Sequence, residues 1–404
     1  MGYKVHRKRR YYSRRKSPYR KVLGWVLVAA IVVPAGFFGA KWLSGGKIEM
    51  PTVAPPTTTT VGSTVSTTVT TAPAPVTVSS QFRGFSLPYT ALLDATTLKD
   101  AAVKAAAAGF NCAVIELKDK DGNLYYATQT QAGLTAAAAT ADAVSLTVLT
   151  EAFATLKEAG IAPIPLLYAF EDTKAPQNLP AAKVTVAGHA DWMWYDGDPQ
   201  KGGRPWLNPY ADAAQTYITA LAEELQTAGA GAIMLDGVYF PTQTAQSDFT
   251  AGGDASLTKG QVLEKFVSRM DTLCDVPVLL RCSVNAALGN NTAGYDTNPL
   301  SLGAAVVLAD ARVSHLGEKL AIEGEMLAVS AQTLTDVLPR LQDALEKRAE
   351  AQPETSRPAT VLLLEGDTVA AQLQALRTAD ADTSYFVYQK DGNYDFAALS
   401  HTTT

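Results

Sequence analysis

The chain has 404 residues, 34 Lys and Arg against 39 Asp and Glu, and 47% hydrophobic residues. Its three cysteines, Cys112, Cys274 and Cys282, cannot form a disulfide framework and stand in no metal-ligand spacing, although one Cys274–Cys282 bridge stays open. Charge is unevenly placed: the first 81 residues hold 12 basic and one acidic residue, leaving 22 against 38 beyond, which disfavours nucleic-acid binding by the folded part.

Residues 1–21 form a basic tail with ten Lys or Arg and no acid, followed by an uncharged run from Val22 to Ala40 between Lys21 and Lys41. At about 1.5 Å per residue the run reaches about 28 Å, close to the hydrocarbon thickness of a bilayer. This predicts a transmembrane helix over residues 22–43 that holds the chain to the membrane, with a cytoplasmic N-terminus and an exported remainder. A cleaved signal peptide is the rival, but the run is long and Lys41-Trp-Leu is no small-residue cleavage site. Residues 44–81 read as a Thr/Pro-rich linker that cannot build a core and could reach about 90 Å if extended. Such a spacer suits reach into a cell wall, and a plain flexible tether equally.

Residues 82–404 remain for a folded domain. Short apolar runs predict strands at Phe82 to Leu87, Cys112 to Leu117, Ala162 to Tyr168, Ala232 to Asp236, Val276 to Cys282, Ala304 to Leu308, Thr360 to Leu364 and Tyr385 to Tyr388. Helical patterns lie between them at Thr97 to Ala108, Leu146 to Ala159, Ala211 to Ala228, Lys259 to Leu273, Thr333 to Ala349 and Thr368 to Thr378. Alternation of strand and helix implies parallel pairing and right-handed crossovers, and eight strands predict a closed α/β barrel, the (β/α)8 TIM fold. An open doubly wound sheet is the competitor, but no Gly-rich phosphate turn follows the first strand. A Thr- and Ala-rich stretch, Gln131 to Ala143, has weak character, and the insertion 169–210 is too long for a simple connection.

Strand ends are where such folds keep their chemistry. The fourth strand closes on Asp236, the third on Tyr168, the fifth on Arg281, the sixth on Asp310 and the seventh on Glu365. The second runs into Glu116 and Lys118, which alternation places on one face toward the mouth. That charged pair is either catalytic or a buried salt bridge, and for most single strand ends ordinary surface charge suffices. Three of the five tryptophans, Trp192, Trp194 and Trp206, stand in the insertion, where they could stack on sugar faces or fold into a small core of their own. The four histidines, His6, His189, His315 and His401, are scattered, giving little support to a zinc or Ser-His-Asp mechanism.

Trp206-Leu-Asn-Pro-Tyr210, Tyr217 and Leu235-Asp-Gly-Val-Tyr-Phe-Pro241 resemble a family of TIM-barrel, glycosyl-hydrolase-like domains with the motifs W-x-D-P-Y and D-Y-V-R-F-P. Glu116-Leu-Lys-Asp-Lys-Asp-Gly122 resembles the family's D-x-K-D-x-x-G. The resemblance covers most of residues 82–290. Asn208 replaces the first motif's aspartate, and Gly237 and Tyr239 replace a tyrosine and an arginine beside Asp236. Loss of that arginine removes a charge that would orient a sugar hydroxyl or hold Asp236 ionised.

The expectation is a membrane-anchored, extracytoplasmic glycoside hydrolase acting on a cell-wall or exported polysaccharide, peptidoglycan-type glycan included, without cofactor or metal. Asp236 and Glu365 would form its carboxylate pair. Glu116, Lys118, Tyr168, Trp192, Trp194, Trp206, Tyr239, Arg281 and Asp310 would contact the sugar. The alternative is a barrel that binds glycan as a wall-associated scaffold without turning it over. Metal-dependent deacetylation has no His/Asp cluster to support it.

Overall fold

The computed structural model describes residues 81–242, 246–380 and 382–400. The basic tail, the apolar run and nearly all of the linker lie outside these residues. Among the described residues no helix is long and apolar enough to cross a membrane.

Eight strands form the barrel: β1 Arg83–Leu87, β2 Cys112–Lys118, β3 Ala162–Tyr168, β4 Ile233–Asp236, β5 Val278–Ser283, β6 Val306–Asp310, β7 Ala359–Glu365 and β8 Tyr385–Tyr388. Each pairs in parallel with its successor, and β1 pairs with both β2 and β8, so the sheet closes. The open-sheet competitor is thereby excluded. Six long helices lie between strands: α1 Ala95–Ala107, α2 Leu146–Glu158, α3 Asp212–Thr227, α4 Lys259–Leu273, α5 Leu334–Glu350 and α6 Val369–Ala379. Between β5 and β6 there are only short helical turns, Val284–Ala287 and Pro299–Ser301.

Helix starts follow from local chemistry. Asp94 accepts the amides of Thr96 and Thr97 before α1, Ser145 accepts that of Val148 before α2, and Thr258 with Gln261 makes a capping box before α4. Alternation along the strands then separates two cores. Inward residues, among them Val114, Ile164, Met234, Leu308 and Phe386, fill the barrel, and the outward residues pack against the helices. Gly84 belongs to the inward set by necessity, since a Cβ there would stand 2.1 Å from the Phe386 ring.

The weak stretch after Gln131 forms a short helix, Gln131–Ala136, and then a strand, Ala139–Ser145. That strand pairs with Leu124–Ala127, which itself meets β2 at Lys118, so the sheet extends beyond the barrel. In the insertion, Thr185–Val186 pairs antiparallel with His189–Met193 and with Ser247–Asp248 from the connection after β4.

Candidate active site

Asp236 ends β4 in register with Tyr168 at the end of β3. Its Oδ2 accepts the Nε of Arg281 from β5, its Oδ1 accepts the N–H of Gly237 at 2.5 Å, and Arg281 Nη2 donates to the Tyr168 hydroxyl at 2.5 Å. Gly237 has φ +64, a conformation open to glycine at little cost, and the chain turns there past the end of β4. The charge that the altered motif lacks is therefore supplied from the neighbouring strand, by Arg281. The Asp236 side chain keeps 15% of its surface exposed and lines a cavity of about 310 Å³ with Tyr168, Glu171, Tyr239, Arg281 and His315.

Two further carboxylates share that cavity. Asp310, at the end of β6, makes two bonds with Arg312, Nε to Oδ1 at 2.8 Å and Nη2 to Oδ2 at 2.6 Å, and lies 2.8 Å from His315 Nδ1. Burial opposes its charge, but hydrogen bonds and charge from Arg312, with His315 and Arg281, hold its carboxyl below the usual range. His315 Nδ1 also lies 3.1 Å from Arg312 Nη2, so the tautomer decides whether it donates to Asp310 or accepts from Arg312. Glu171, just past β3, accepts from Arg204 Nη1 and from the Tyr239 hydroxyl, each at 2.7 Å.

Glu116 lines a second cavity of about 200 Å³ that runs into the barrel between Val114, Leu166, Met234 and Phe386, with Arg281 common to both cavities. Burial raises the Glu116 carboxyl above its ordinary value against the pull of Arg281, and Asp119 and Asp236 raise it further.

Lys118 does not share the face of Glu116. A register shift between them pairs Glu116 with Leu166, which faces the barrel interior, and Lys118 with Leu167, which faces the helices. Lys118 is fully buried, 2.7 Å from Asp172 Oδ2, and donates to the Tyr168 carbonyl. Of the two readings of this charged pair, the salt bridge describes Lys118. Glu365 accepts from the Ser314 hydroxyl and lines a different cavity with Tyr388, Gln389 and Asn393, one that has no lining residue in common with the cavity of Asp236.

The insertion holds its own small core. Trp194 and Trp206 are buried, Trp194 against Phe249 and Trp206 against Tyr239 with its Nε1 donating to Asp196. Trp192 alone is exposed, stacked on His189. Asn208 donates to the Ala251 carbonyl at 2.9 Å, a bond the aspartate of the motif could not give when ionised. All three cysteines are buried free thiols, so Cys274 and Cys282 are not bridged.

Sequence reasoning did not single out Glu171, Arg312 or His315. Asp310-Ala-Arg312 carries a signal, two opposite charges two residues apart at a strand end, whereas Glu171 and His315 depend on contacts that no local pattern announces.

The fold and the ring of acids and bases at its mouth define a (β/α)8 barrel equipped for carboxylate chemistry. Residues 88–295, just over half of the chain, match the family described as "Putative glycosyl hydrolase domain", and the chain belongs to that family. It is a putative glycoside hydrolase. Among solved structures, the glycoside hydrolase domain of PgaB (BpsB) from Bordetella bronchiseptica is similar at TM-score 0.56 and 14% identity, over 79% of this chain and 98% of that one, a likeness of fold. A hypothetical protein from Ruminiclostridium thermocellum matches at TM-score 0.40 and 21% identity, over 48% of this chain and 96% of that one. No curated protein matches the chain.

Proposed function

We propose that the protein is a membrane-anchored, extracytoplasmic glycoside hydrolase acting on a cell-wall or exported polysaccharide. The anchoring half of this reading rests on the basic tail, the apolar run and the spacer. The catalytic half rests on one observation, a partly exposed carboxylate, Asp236, fixed by Arg281 and the Gly237 amide at the rim of a polar cavity. Asp236 acts at the anomeric carbon, either attacking it or activating water, and a second carboxyl group protonates the leaving oxygen. Arg281, Tyr168 and Tyr239 hold sugar hydroxyls, with Trp192 as an outlying stacking surface. Membrane fractionation of the full-length protein, with protease added to intact cells, tests the topology. Protection of the barrel from external protease would contradict it.

Glycan binding without turnover is favoured by one observation: both oxygens of Asp236 already accept hydrogen bonds. Retention of polysaccharide with no new reducing ends would support this reading, and repeated turnover would exclude it.

A further inference from the structure

The carboxylates around the mouth differ in what they touch. Asp236 is tied to Arg281, Asp310 to Arg312 and His315, Glu171 to Arg204 and Tyr239, Glu365 to Ser314, and Asp172 to Lys118. Glu116 is the sixth, and alone among the six it has no hydrogen bond or ion pair with another described residue. It projects from the inward face of β2 into the cavity bounded by Val114, Leu166 and Met234. Glu116 is in register with Leu166, and Leu166 with Met234, the inward residue that precedes Asp236 on β4. Two strand spacings separate β2 from β4, about 10 Å at the backbone, and two side chains converging from there can reach the carboxyl separations that glycosidases use.

We infer that Glu116, rather than Glu365, is the proton donor of this centre, an inference that rests on the hydrolase reading. The O–H of Glu116 gives its proton to the glycosidic oxygen as the C1–O bond breaks, and the electron pair of that bond stays on the departing oxygen. Asp236 supplies the new electron pair at C1 directly, or takes the proton of a water molecule that does. In the first case water later attacks C1, releases Asp236 and returns a proton to Glu116. In the second, Asp236 finishes protonated, Glu116 finishes ionised, and exchange with solvent restores both. A donor must hold its proton at working pH, and desolvation in an apolar cavity favours the protonated form. Arg281 lines both cavities, makes its ion pair with Asp236, and pulls Glu116 toward the ionised form without an ion pair to it.

The test compares full-length wild type with Glu116→Gln and Glu365→Gln on two probes: purified peptidoglycan, whose leaving group is a sugar alcohol, and 2,4-dinitrophenyl glycosides of glucose, galactose and N-acetylglucosamine, whose leaving group needs no proton. Glu116→Gln should lose about 100-fold or more of the wild-type rate on the glycan, the scale of general-acid catalysis, and stay within about 10-fold in the first release of dinitrophenol from the aryl glycosides, the step that needs no proton in either case. Equal loss on both, loss on neither, or this split in Glu365→Gln instead would overturn the inference. A wild type inactive on both probes would count against the hydrolase reading itself.

A thermal midpoint series from pH 4 to 8 reads Glu116 apart from turnover. A carboxyl raised by burial contributes stability that is present below its unfolded value, about 4.3, and lost as pH rises through the folded value. Glu116→Gln cannot lose it, so the variant should match wild type near pH 4 and melt higher near pH 7. Parallel curves would overturn the buried-acid assignment whatever the probes show.

Discussion

Replacing Lys118 by methionine removes the positive partner of Asp172 from a site where both side chains are fully buried. An uncompensated charge of this kind costs about 3–5 kcal/mol, and urea unfolding of Lys118→Met should show a loss on that scale. A loss under about 1 kcal/mol would contradict the account of Lys118 as a structural cation. Asp310 has the opposite linkage to Glu116. Its carboxyl lies below the ordinary range, so its stabilising contribution is present above about pH 3.9 and is lost as pH falls through the folded value. Asp310→Asn should therefore be less stable than wild type at pH 7, with the gap narrowing below about pH 4, as measured by thermal melts. At this scale the sequence exposes charge at strand ends, and it places Asp236, Tyr168, Arg281 and Asp310 on one cavity. It does not reveal which charges cancel, because Arg281 and Asp236 are 45 residues apart and their bond exists only once β4 and β5 pair.

Elements were the most legible level. The strands at Ala162 to Tyr168 and Tyr385 to Tyr388 and the helix at Lys259 to Leu273 form with the expected bounds, since each has an unbroken apolar period between clear stop signals. Strict alternation along β2 fails at the register shift after Glu116, an irregularity set by the backbone and invisible to a period-two pattern. The tryptophans of the insertion divide because burial depends on partners elsewhere, Phe249 for Trp194 and Tyr239 for Trp206. Packing of β1 against β8 gives a prediction of its own. Gly84→Ala forces the Phe386 ring out of place inside a filled barrel, a change that should cost about 1–3 kcal/mol in chemical unfolding and alter the cavity that holds Glu116. Unchanged stability would mean that Phe386 has room to move. Loss of the α4 cap in Thr258→Ala should cost about 1 kcal/mol by the same measurement and leave that cavity alone.

At the scale of the whole molecule, closure of β1 onto β8 is what turns residues scattered from Glu116 to His315 into one mouth. Parallel order and strand count were readable from the alternation of patterns, and closure of β1 onto β8 removes the two edges that an open sheet of eight would keep. Glu365 shows the limit of that reasoning: its place near the barrel end was foreseen, but Ser314 draws it toward another cavity. The central claim is that the Asp236 centre hydrolyses glycosidic bonds. Its most direct test is the release of new reducing ends from peptidoglycan by full-length wild type and by Asp236→Asn, each rate scaled to the folded fraction, because the variant leaves Arg281 without its ion pair and should melt lower. The account predicts many turnovers per wild-type molecule and a loss of about 1,000-fold or more in the variant. Undiminished release by folded Asp236→Asn would contradict it.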